Sequence, residues 1–228
     1  MSTISHRLET LTIPGPAGKL EALFIEGQPG ARHSALICHP HPMGGGTMHN
    51  KVVYRAAKTM LSLGLPTLRF NFRGTGLSEG DHDEGRGEQD DVRAALEWLH
   101  ERNRLPVLVV GFSFGAHVGL RVCCSDTRVP GFAALGLPVA AEGRHYRYSF
   151  LADCSLPKLF ISGGSDEYGP TAELQQIVAA ASEPKSLVVI PGADHFFVGK
   201  LEQMQNALRE WLVARYFHEL QQGATQMR

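Results

Sequence analysis

The sequence has 228 residues, 43% hydrophobic and 20% charged, proportions that allow a substantial core in a globular chain. Its 22 basic and 23 acidic side chains nearly cancel and no Lys/Arg block stands out, which argues against a nucleic-acid partner. The start lacks the basic and apolar regions of a secretory signal, and no apolar run approaches the roughly 18 residues of a membrane span.

The expectation is one domain over 1–228, cytoplasmic, with no membrane partner; the sequence does not specify an oligomeric state. In chain order, residues 7–13 and 19–26 flank a turn-rich segment, Pro14-Gly15-Pro16-Ala17-Gly18, and predict an antiparallel hairpin. Beyond it, apolar runs of strand length alternate with amphipathic stretches of helix length. Strands are expected at 33–38, 67–72, 107–111, 131–137, 158–162 and 186–190. Most are continuously apolar, as strands buried on both faces should be. Helices are expected at 51–63, 88–102, 115–124, 171–181 and 198–220. This alternation predicts an α/β fold: a mostly parallel sheet with right-handed crossovers and helices on both faces. The loop 74–87 is Gly-rich and acidic. Residues 140–157 show no clear periodicity and are too few for a large lid.

The run Leu105-Pro106-Val107-Leu108-Val109-Val110 ends at Gly111-Phe112-Ser113-Phe114-Gly115, and a helical pattern starts directly afterwards. Strand, sharp turn carrying Ser, and helix form a nucleophile elbow. Ser113 must take a strained backbone that lifts its hydroxyl clear of the sheet and brings strand and helix close. A Cβ at Gly111 or Gly115 would collide at that crossing.

A serine hydroxyl needs a base, and with this elbow the chain order is Ser, then Asp or Glu, then His. Of the downstream histidines, His117 falls inside the helix after the elbow, His145 in the aperiodic stretch and His218 in the terminal helix. His195 follows the last strand, in Pro191-Gly192-Ala193-Asp194-His195, at the carboxyl edge of the sheet. The acid should leave the preceding strand in the same direction. Gly163-Gly164-Ser165-Asp166-Glu167 offers Asp166 first and Glu167 second. Asp194 adjoins His195 too closely, and Asp153 lies on the wrong edge.

A tetrahedral intermediate also needs two N–H donors. One is Phe114, the residue after the nucleophile. The other belongs to the loop His39-Pro40-His41-Pro42-Met43-Gly44-Gly45-Gly46, where the two prolines have no N–H. His41 sits at the favoured position, with Met43 and the glycines as alternatives. The histidines here lack a carboxylate partner for a metal, and no Gly-Lys-Ser/Thr follows the glycines, so neither metal nor phosphate is expected.

Phe112, Met43, Tyr168 and Phe196 are candidate pocket residues, as are Phe114 and Phe197. Arg73 and Ser78 read as structural. Asp81, Asp83 and Glu84 read as a solvated loop, and Glu88, Asp90 and Asp91 as a favourable helix start. Cys38, Cys123, Cys124 and Cys154 read as reduced, buried small hydrophobes.

Four stretches carry a resemblance: 39–53, 69–78, Gly111-Phe112-Ser113-Phe114-Gly115-Ala116 and 192–197. On these the chain resembles the small, lidless bacterial α/β-hydrolases of the serine carboxylesterase type, related to dienelactone hydrolases. The resemblance implies an α/β-hydrolase fold with minimal lid and an enzyme without cofactor that cleaves carboxylic esters. Ser113, Asp166 and His195 hold the matching triad positions. Dienelactone hydrolases carry Cys where this chain has Ser113, which argues against that activity. Tyr168 replaces a small aliphatic residue. A thioesterase, a peptidase, a carbon–carbon hydrolase or a non-catalytic binding protein would keep the same residues.

Overall fold

The computed structural model describes residues 7–141 and 144–217. β1 (Leu8–Gly15) and β2 (Gly18–Ile25) form the expected antiparallel hairpin, reversing over Pro16-Ala17. β3 (Ser34–Cys38), β4 (Thr67–Phe70), β5 (Val107–Phe112) and β6 (Phe132–Leu135) follow, then a two-residue ribbon of β7 (Ala140–Ala141) and β8 (Arg144–His145). β9 (Lys158–Gly163) and β10 (Lys185–Ile190) complete the strands. The main sheet has eight strands in the order β1-β2-β4-β3-β5-β6-β9-β10. Only the pairings of β1 with β2 and β2 with β4 are antiparallel; the rest are parallel.

The helices are α1 (Lys51–Ser62), α2 (Gly87–Asn103), α3 (Phe114–Cys123), α4 (Thr171–Ala180) and α5 (Leu201–Tyr216). The expected terminal helix runs on to 220, but residues 218–220 lie outside the described ones. Short 3-10 turns occupy Pro42–Gly44 and Ser149–Asp153.

Strand alternation splits the core into two layers. Leu108, Val110 and Phe112 of β5 join α1 and α5 on one face, while Val107 and Val109 join α2 and α3 on the other. All six residues of β5 are buried, which explains the continuous apolar run. Parallel strands β3, β5, β9 and β10 therefore open their carboxyl ends onto one rim, where loops are free to carry chemistry.

The structure revises two expectations here. Cys124 and Cys154 form a disulfide, with Cα atoms 5.2 Å apart. Cys38 and Cys123 are the free, buried thiols. The bridge ties the end of α3 to the end of the second 3-10 turn, an approach that a separation of 30 residues conceals. It also removes one support for a cytoplasmic location.

The acidic stretch is likewise not all solvated. Glu88 is buried, accepts the N–H groups of Asp83 and Gly85 at 2.8 Å, and lies 2.6 Å from His82 Nδ1. Asp91 is buried against the Arg73 guanidinium at 2.7 Å. Both carboxylates serve as anchors for the 73–87 loop, because a buried charge is tolerable when fully paired. Among the described residues no helix is long and apolar enough to cross a membrane.

Candidate active site

Ser113 stands between β5 and α3 with φ 54° and ψ −118°. This left-handed value is costly for a residue with a Cβ and persists only where packing enforces it. The enforcement is visible at the two glycines. A Cβ on Gly111 would lie 2.5 Å from Ala116 Cα, and one on Gly115 2.5 Å from the carbonyl oxygens of Cys38 and His39. The second contact also seats α3 against the loop that follows β3.

The turn after β9 delivers Asp166 and the loop after β10 delivers His195, both nearly fully buried. His195 Nδ1 is 2.9 Å from each oxygen of Asp166, and His195 Nε2 is 2.9 Å from Ser113 Oγ. A carboxylate only accepts, so Nδ1 carries the proton and Nε2 presents a lone pair to the serine hydroxyl. Asp166 is itself held, accepting the N–H groups of Tyr168 at 2.9 Å and Gly169 at 3.1 Å. Glu167 is exposed, and Asp194 accepts instead from Val198 N–H.

Behind the ring, Phe112 packs 5.1 Å from His195 between ring centroids, and Tyr168 packs 4.7 Å away. Gly136 makes room for the imidazole: a Cβ there would lie 3.2 Å from its Cε1 and Nδ1. The sequence reading missed Gly136. Its signal is a single Gly ending an apolar strand.

The loop after β3 is organised by hydrogen bonds that single out one amide. Met43 N–H donates to His41 Nδ1 at 3.1 Å. Gly44 and Gly46 donate to His41 O, and Gly45 donates to Pro42 O. With Pro40 and Pro42 lacking N–H groups, the His41 amide is left without an acceptor among the described residues. So is the Phe114 amide, at the first position of α3. Burial, Arg144 and His82 depress the His41 imidazole to about 4, against a smaller opposing pull from Glu88, which keeps its Nδ1 an acceptor for Met43. His39 is more deeply buried and lies at about 3. Its Nδ1 meets Pro40 O at 2.6 Å and its Nε2 accepts Phe72 N–H at 2.9 Å, joining this loop to the chain after β4.

A pocket of about 180 Å³ opens over Ser113. Its walls include His41, Arg144, Tyr146, Tyr168, His195 and Phe196. Two pocket candidates fall elsewhere. Phe112 is fully buried in the core on the α5 side, because alternation along β5 points it below the rim. Met43 is 72% exposed on the outside of its turn. Phe114 and Phe197 are also buried, outside the pocket walls. His117 lies within α3 against Tyr146 and Tyr148, away from the Ser113 hydrogen bonds. The side chain of His145 and all of His218 lie outside the described residues. No group of three or more His, Cys, Asp or Glu side chains among the described residues is arranged to hold a metal.

A family model described as an alpha/beta hydrolase domain matches residues 33–219. The chain belongs to the alpha/beta hydrolase family. A protein of Rickettsia prowazekii, described as uncharacterized, is 36% identical over 214 residues, 90% of each chain. Among solved structures, an alpha-beta serine hydrolase homologue from Coxiella burnetii is 37% identical, with TM-score 0.83. The match covers 92% of this chain and 100% of that one. A serine hydrolase without lid from Xanthomonas campestris is 32% identical, with TM-score 0.82, covering 93% and 95%. Within this alpha/beta hydrolase the ribbon β7–β8, which the sequence presented only as an aperiodic stretch, supplies the pocket wall that carries Arg144. Two-residue strands have no period to read.

Proposed function

We infer that the protein is a serine esterase that cleaves short-chain carboxylic esters through an acyl-enzyme on Ser113. The observation that carries this reading is the chain of 2.9 Å contacts from Ser113 Oγ through His195 to Asp166, on a strained elbow.

His195 Nε2 takes the hydroxyl proton as Ser113 Oγ attacks the ester carbonyl, and Asp166 stabilises the resulting imidazolium. The carbonyl oxygen becomes an oxyanion facing the amides of Phe114 and His41, at the positive end of α3. Collapse breaks the bond to the alcohol oxygen, which leaves with the proton from His195. Water then repeats the sequence against the acyl-enzyme and releases the acid. Each step uses side chains and amides of the chain itself. A pocket of about 180 Å³ is well below the roughly 300–1,000 Å³ of sites for drug-sized ligands, which favours small acyl groups.

The experiment is a series of p-nitrophenyl esters of rising chain length, run beside matched thioesters and peptides. The proposal expects kcat/KM to be highest for short acyl esters and to fall as the chain lengthens. Faster turnover of thioesters or peptides assigns the site to those substrates instead.

A further inference from the structure

Among the described residues, the walls of the catalytic pocket carry one permanent charge. Arg144, on β8, lines this pocket together with the loop that bears His41. The other ionisable wall residues among the described ones are His41, Tyr146, Tyr168 and His195, and none of the described lining residues is a carboxylate. Among the described residues no ion pair neutralises Arg144. Tyr146 lines the same pocket, and burial raises its phenol against a smaller opposing pull from Arg144, so the hydroxyl keeps a proton to donate.

A cationic fork and a phenol hydroxyl in the same small cavity as the serine are matched to an anion carried by the substrate. Arg presents planar, paired donors that suit a carboxylate. These donors belong to the ribbon and its continuation, not to the loop that bears the His41 amide, so the group they hold is a part of the substrate other than the reacting carbonyl.

Resting on the esterase reading, we propose that Arg144, with Tyr146, selects esters bearing a carboxylate a few bonds from the scissile carbonyl, such as half-esters of short dicarboxylic acids. Arg144 is then a specificity-determining residue: it binds and orients the substrate, and takes no part in proton transfer.

The test compares monomethyl glutarate with methyl pentanoate, an uncharged ester of similar length, by methanol release in wild type, Arg144→Gln, Arg144→Lys and Arg144→Glu. The wild type is expected to prefer the anionic ester by about tenfold or more in kcat/KM, mainly through KM, since a paired, charge-assisted hydrogen bond is among the stronger polar contacts. Arg144→Gln brings the ratio close to one, Arg144→Lys restores part of it, and Arg144→Glu inverts it. High salt narrows the wild-type ratio. Equal turnover of the two esters by wild type, or a ratio that survives Arg144→Gln, overturns this proposal and leaves the esterase reading standing. Failure to hydrolyse either ester, together with no reaction of Ser113 with a fluorophosphonate, overturns both.

Discussion

Met43 donates its amide N–H to the His41 imidazole at 3.1 Å, and this bond holds the turn that leaves the His41 amide free. Side chain and backbone of His41 thus have separate tasks. The imidazole caps the 3-10 turn, and the amide is left without an acceptor among the described residues.

That separation can be tested by two substitutions. His41 has φ −57°, which proline adopts without strain. His41→Ala removes the cap and keeps the N–H, whereas His41→Pro removes both. Relative to His41→Ala, His41→Pro is expected to lower kcat by about 10²–10³, the usual cost of losing one oxyanion donor. Equal kcat in the two variants assigns the second donor elsewhere.

The elbow predicts a sharp steric limit. Gly115→Ala places a Cβ 2.5 Å from two carbonyl oxygens of the backbone, which have no flexible end to move aside. The loss of stability should be on the order of 3 kcal/mol or more, at the severe end of overpacking. Urea unfolding followed by tryptophan fluorescence measures it. A loss under about 1 kcal/mol means that the crossing is looser than described.

Asp166→Asn keeps the shape of the side chain and removes its charge. With an amide beside Nδ1 the imidazole is free to adopt the wrong tautomer, and kcat should fall by about 10⁴. The fall should appear in kcat more than in KM, because Asp166 touches His195 and not the pocket. Glu167→Gln, at an exposed neighbour, provides the comparison. A larger loss there than at Asp166 reverses the assignment.

Acid should unfold the protein partly through His39. Its folded pKa of about 3 is below the ordinary 6.5, chiefly because of burial. Between these values the unfolded chain binds a proton that the folded one refuses, so stability falls as pH drops through 6.5 towards 3. Full stability from this group is present above 6.5. The slope from one such residue approaches about 1.4 kcal/mol per pH unit. His39→Asn should be less stable at pH 7.5 yet show a shallower decline between pH 6 and 4. An unchanged slope removes His39 as the cause.

The Cys124–Cys154 bridge predicts that denaturation without reductant leaves these two thiols unavailable to an alkylating agent, while Cys38 and Cys123 react. Reduction, or Cys124→Ser, should cost about 2–4 kcal/mol of stability, typical for closing a loop of such size. Alkylation of all four cysteines in the unreduced, unfolded protein contradicts the pairing.

Much of this site was readable because its signals are local. Gly111, Ser113 and Gly115 lie within five residues, and their physical demands are written into that spacing. The parallel sheet announced itself through continuous apolar runs such as Val107 to Val110. What escaped reading depends on partners that are far away in sequence. Glu88 and Asp91 look like solvated acids until His82 and Arg73 are seen beside them. Cys124 and Cys154 meet only once α3 and the second 3-10 turn are packed. Phe112 adjoins Ser113 in sequence like a pocket wall, yet strand alternation buries it in the core layer behind the His195 ring. Arg144 sits on strands too short to leave any pattern.

The central claim is that Ser113 is a nucleophile activated by His195. The most direct measurement treats the protein with a fluorophosphonate and maps the adduct by mass spectrometry. The account predicts one adduct, on Ser113, absent in Ser113→Ala and formed far more slowly in His195→Ala. An unlabelled wild type, or labelling that persists in Ser113→Ala, contradicts it.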